Sequence, residues 1–109
     1  MAQTITQKAP LNVLRMATGR YLDTGTVAAY TFTLGFQPRY VKVVNHAATG
    51  ATLEWIEGMA ADSAAKYVVE GDKTLVTSGG ITVSATGFIF GLDTDANVTS
   101  EQVSFVALG

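Results

Sequence analysis

The sequence predicts an all-β protein: an antiparallel β-sandwich or small β-barrel of about seven or eight short strands, with an extended N-terminal arm. Three observations predict it. Apolar residues recur at every second position, as in Ala28, Tyr30, Phe32 and Leu34, and two is the side-chain period of a strand. Glycine, asparagine and aspartate punctuate these runs at short, near-regular intervals. No segment supports a long helix.

Taken in order, MAQTITQKAP is polar, ends in Pro10 and reads as an arm. Leu11 to Met16 is a strand or one turn of helix, and Ala17 to Arg20 reads as a turn. The arm or appended segment is set at residues 1–24 and the β-body at 25–109. Pro38 cannot donate to a ladder, so it belongs at a strand entrance, and Arg39 to Asn45 follows as a strand with apolar side chains on both faces. Across a hairpin bracketed by Asn45 and Gly50, Thr52 to Glu57 forms its neighbour, with Leu53 and Trp55 on one face. Residues 58–65 are a loop or a short helix capped by Asp62 or Ser63. Tyr67–Val69, Lys73–Val76, Gly80–Val83 and Phe88–Leu92 read as short strands. Glu70-Gly71-Asp72 and Ser78-Gly79-Gly80 read as tight turns between them. The last strand places Val103, Phe105 and Ala107 on one face.

With 109 residues the chain suits one domain with a real core. Charged residues make up 15%, against about 25% in ordinary soluble proteins, which suits a surface covered by neighbours. Net charge is −2, and the seven basic residues are scattered singly, so nucleic acid is not an expected partner. Cysteine is absent, which excludes disulfides and thiolate metal sites. The N-terminus has no apolar core of a signal peptide, and no apolar stretch has the length of a membrane span.

Candidate reactive sites dissolve on inspection. His46 is the sole histidine, in a loop, without the partners of a triad or a zinc site. Glu54 and Glu57 flank Trp55, but three positions along a strand put them on opposite faces. Asp93, Asp95 and Asn97 have the alternate spacing of a calcium loop, but Val98 stands where its glycine belongs and no distal bidentate acid follows, so an Asx-rich turn is expected. Ser78-Gly79-Gly80 precedes strand formers rather than a helix, so it is not read as a phosphate loop. Trp55, Tyr21, Tyr30, Tyr40 and Tyr67 offer rings for sugar or partner contact, with Trp55 expected in the core and Tyr21 and Tyr40 outside. Neither catalysis nor a cofactor nor a metal is expected.

Gly35-Phe36-Gln37-Pro38-Arg39-Tyr40-Val41-Lys42-Val43-Val44-Asn45 resembles a strand entrance of small β-rich virion proteins of tailed bacteriophages. Glu54-Trp55-Ile56-Glu57-Gly58-Met59, Thr77 to Val83, Thr86-Gly87-Phe88 and Gly91-Leu92-Asp93 resemble companion motifs of those proteins, over residues 34–106. The resemblance implies a capsid decoration (cement) protein on the capsid exterior. Its partners would be the major capsid protein and other copies of itself, with a homotrimer, a monomer or a dimer as the arrangements. The alternative is a tail-fibre or spike module that binds host-surface carbohydrate or receptor. Expected partner-contact residues are Leu11, Val13, Leu14, Tyr21, Arg39 and Tyr40.

Overall fold

The alternation at the C-terminus becomes a strand with one dry face: Val103, Phe105 and Ala107 are buried while Gln102, Ser104 and Val106 are half-buried on the other side. The computed structural model describes residues 15–22 and 27–109. Among them lie eight strands and no helix: β1 (Met16–Leu22), β2 (Tyr30–Thr33), β3 (Tyr40–Asn45), β4 (Thr52–Ile56), β5 (Ser63–Tyr67), β6 (Lys73–Ser84), β7 (Gly87–Phe90) and β8 (Gln102–Leu108). All belong to one antiparallel sheet in the order β1-β8-β3-β4-β5-β6-β7-β2. The sheet curls into a half-barrel.

Curling gives the sheet an inside. Val41, Val43, Leu53, Trp55, Ala64, Ile81, Phe88 and Phe90 join the inner residues of β8 in one core. At its centre the rings of Phe32, Phe88 and Phe105 meet at centroid distances of 5.0 Å (Phe32–Phe88, stacked), 4.6 Å (Phe32–Phe105, tilted) and 5.2 Å (Phe88–Phe105, edge-on). The two ends of the sheet lean together over this cluster: Tyr21 of β1 and Tyr30 of β2 have centroids 4.1 Å apart. No ladder joins those two strands.

The loop between β7 and β8 closes one end of the interior. Asn45 is buried there with its amide fully used: Nδ2 donates to the Ala96 carbonyl (2.8 Å) and Glu101 Oε1 (3.0 Å), and Oδ1 accepts from the Ala47 amide (2.8 Å). Asn97 Nδ2 donates to the carbonyls of Ala28 (3.0 Å) and Gly91 (2.8 Å), tying the loop to the start of β2.

Several local readings change. Ala17 to Arg20 is not a turn but the middle of β1, which pairs with β8 along its length. Residues 16–22 of the segment set apart as an arm therefore run within the sheet. Ser78-Gly79-Gly80 is not a tight turn between two strands. It lies inside the single long β6, as a bulge: Ala64 faces Val76 while Ser63 faces Ile81, so residues 77–80 have no counterpart on β5. Gly79, at φ +77°, supplies the backbone bend, and β6 redirects from β5 to β7. Residues 58–62 form a turn and β5 begins at Ser63. That strand ends at Tyr67, and Val68 and Val69 enter the next turn.

Candidate interaction surface

Residues facing each other across a ladder share a face, so the register defines the outer surface directly. Met16 faces Leu108, Leu108 faces Tyr40, and Tyr40 faces Ile56. This row crosses β1, β8, β3 and β4, and the Tyr40 hydroxyl is its one polar side-chain group. Its outer members are wide open, Met16 at 61% and Ile56 at 56% exposure. The next row contains Thr18, Val106, Lys42, Glu54, Ala65 and Leu75, and Leu75 is also exposed. Open aliphatic side chains on one face of a sheet are the material of a contact surface.

Beside the apolar row lies a polar groove of about 370 Å³, lined by Lys42, Val44, Thr52, Glu54 and Tyr67. The Tyr40 hydroxyl donates to Glu54 Oε2 at 2.5 Å. Burial, then the Glu54 hydrogen bond and charge, push the Tyr40 phenol up to about 12. The Tyr67 phenol is also raised, by burial and by Glu54. The Tyr40 hydroxyl thus holds the Glu54 carboxylate beside the Tyr67 ring. Lys42 faces Glu54 across the ladder but forms no ion pair with a described residue.

The expected contact residues scatter. Tyr40 belongs to the apolar row. Arg39 is exposed just before β3 and meets Glu57 at 3.4 Å, a solvent-screened pair of little energetic weight. Tyr21 turns inward, half-buried, onto Tyr30 and Phe32. Leu11, Val13 and Leu14 lie outside the described residues.

The other candidates resolve into structure. His46 Nε2 meets Ser104 Oγ at 2.7 Å on the exposed surface. Trp55 is buried, and its indole N–H donates to the Ala60 carbonyl at 3.3 Å, so it is not a sugar platform. Glu54 and Glu57 do not converge, since one serves Tyr40 and the other Arg39. In the Asx-rich loop, Asp93 Oδ2 accepts the amides of Asp95 and Ala96, both at 3.1 Å. Its Oδ1 and Asp95 Oδ2 take the Lys66 ammonium at 3.1 and 2.6 Å. Burial alone would lower the Lys66 pKa, but the hydrogen bonds and charges of the two aspartates outweigh it and raise it. A lysine of the chain itself thus holds the place a cation would take. Near the β6 bulge, a cleft of about 510 Å³ is lined in part by Asp62, Ser78, Gly79 and Thr94. The Gly80 amide there is spent on the Asp62 carbonyl at 3.1 Å, so it is not free for a phosphate.

Residue reading missed the apolar row. Its members come from β1, β8, β3 and β4, and only the register sets them side by side. The available signal was apolar residues, Met16 and Ile56, that oppose the buried face of their own strand.

Comparison with protein-family models, curated proteins and solved structures finds no match.

Proposed function

We propose that this chain is a structural virion protein of a tailed bacteriophage, which decorates and stabilises the capsid by laying the outer face of its sheet on the major capsid protein lattice. The observation that carries the associative part is the row Met16–Leu108–Tyr40–Ile56, which runs across four neighbouring strands with its two ends open and Leu108 and Tyr40 half-buried between them. The choice of capsid rests on the resemblance of residues 34–106. Burial of this row against several subunits would add binding free energy to the closed shell. A repeated lattice would multiply a modest affinity per copy.

Co-sedimentation with particles of the phage that encodes the chain tests this. The wild-type chain should pellet with the capsids at high copy number, unaffected by added sugars. The double variant Met16→Asp, Ile56→Asp should stay in the supernatant with an unchanged circular dichroism spectrum. A wild-type chain that never pellets with particles refutes the capsid reading.

The groove favours a second reading, a tail-fibre or spike module that holds host saccharide. Lys42 as donor and Glu54 as acceptor suit adjacent hydroxyls, and Tyr67 offers a ring. Glycan-array signal lost on Tyr67→Ala would favour this reading over the first.

A further inference from the structure

We infer that the edge of β1 left unpaired by every described strand pairs with the β1 of a second copy, antiparallel about a two-fold axis at Gly19. The interface shares Met16 with the outer-face docking row but is made through the edge of the sheet, and it does not depend on the capsid or saccharide readings.

The hydrogen-bonding groups of β1 give the first reason. Gly109 N–H donates to the Arg15 carbonyl at 2.8 Å, extending the β1–β8 ladder by one residue. In an antiparallel strand the groups of alternate residues point to alternate sides. Arg15, Ala17, Gly19 and Tyr21 therefore turn theirs toward β8. Met16, Thr18, Arg20 and Leu22 turn theirs to the open side, where no described strand pairs with them.

Edge strands are usually guarded by shortness, proline, a bulge or a row of charges. At seven residues β1 has none of these guards except Arg20, whereas the opposite edge, β2, has four residues. An edge of this length guarded by a single charge is a template for strand addition.

The side chains select the partner. Folding MATGRYL back on itself about Gly19 sets Met16 against Leu22 of the second copy and Thr18 against its Arg20. Both Met16 and Leu22 are large, apolar and on the outer face, at 61% and 47% exposure. The pairing covers each with the other, twice by symmetry. The lone charge meets a hydroxyl rather than its own copy. All these facing pairs join residues whose backbone groups point outward, so each exchanges two hydrogen bonds. A shift of register by one residue would set outward groups against inward ones and lose them.

Sedimentation equilibrium with hydrogen exchange tests the pairing. The wild-type chain should dimerise, and the amides of Met16, Thr18, Arg20 and Leu22 should gain protection as concentration rises. Thr18→Glu places a carboxylate against Arg20 of the other copy and should tighten the dimer about tenfold, whereas Thr18→Arg should weaken it by about the same factor. The double variant Thr18→Arg, Arg20→Glu should restore it, which separates lost pairing from lost folding. Three results overturn the inference: a chain that stays monomeric at its solubility limit, a dimer indifferent to all three variants, or protection of those four amides at every concentration, which would mean that the chain covers its own edge.

Discussion

The Phe105 ring lies against Gly19, its cross-strand partner in the β1–β8 ladder, so closely that a Cβ on residue 19 would stand 2.7 Å from Phe105 Cε1. Glycine in an edge strand loses backbone entropy and offers nothing to pack, and an aromatic ring laid over it restores the contact. The ring then continues into Phe32 and Phe88, so β1 is joined to the core through a residue that has no side chain.

Gly19→Ala should therefore destabilise the fold, by about 1–3 kcal/mol, although alanine is ordinarily the better strand residue. Urea unfolding measures it. Phe105→Leu frees the space, so the two changes should be less than additive in a double-mutant cycle. Additive losses would mean that the ring does not oppose the new methyl.

Tyr40 should be resolved in an ultraviolet titration as a phenol that ionises near 12, well above the ordinary 10.0. Because the folded value lies above the unfolded one, its contribution to stability is intact below pH 10 and is lost as pH rises from 10 toward 12. Glu54→Gln removes the charge but not the burial, which is the larger cause. The Tyr40 titration should move down only part of the way.

Lys66→Met should cost about 3 kcal/mol or more, because it leaves the Asp93 carboxylate, 6% exposed, without its cation. Asp95→Asn should cost less than about 1 kcal/mol, since that side chain is half in solvent at 50%. Denaturant midpoints of the two variants check the contrast; equal losses would place the weight of the cluster elsewhere.

Trp55, the sole tryptophan, should emit at short wavelength in the native state and resist acrylamide, then shift to the red on unfolding. Its ring faces the core on the opposite side of β4 from Glu54, so a saccharide seated in the outer groove should leave its emission unchanged.

Much of the fold was legible in the residues, for particular reasons. Val41 and Val43, Leu53 and Trp55, and Val103, Phe105 and Ala107 alternate with less apolar neighbours, and strand period two converts that alternation into a buried and an outer face. Ser78-Gly79-Gly80 misled because a glycine pair marks a tight turn and a bulge alike. Only the offset between Ser63 and Ala64 on the facing strand distinguishes them. Ala17 to Arg20 misled because small and polar residues with a glycine read as a turn, whereas Phe105, far along the chain, supplies the packing that makes them a strand. The apolar row was illegible for a related reason: each member is an unremarkable exposed or half-buried residue until its neighbours are known.

By itself the sequence determined that this chain builds strands, where most of them run and which side chains point to the core, because these follow from spacing between residues close along the chain. Tertiary structure alone decided which strands are neighbours, that β1 and β2 end the sheet, and that Met16, Leu108, Tyr40 and Ile56 form one surface. Ladder hydrogen bonds between backbone groups are nearly indifferent to residue type, so pairing is chosen by how the whole sheet curls over its shared core.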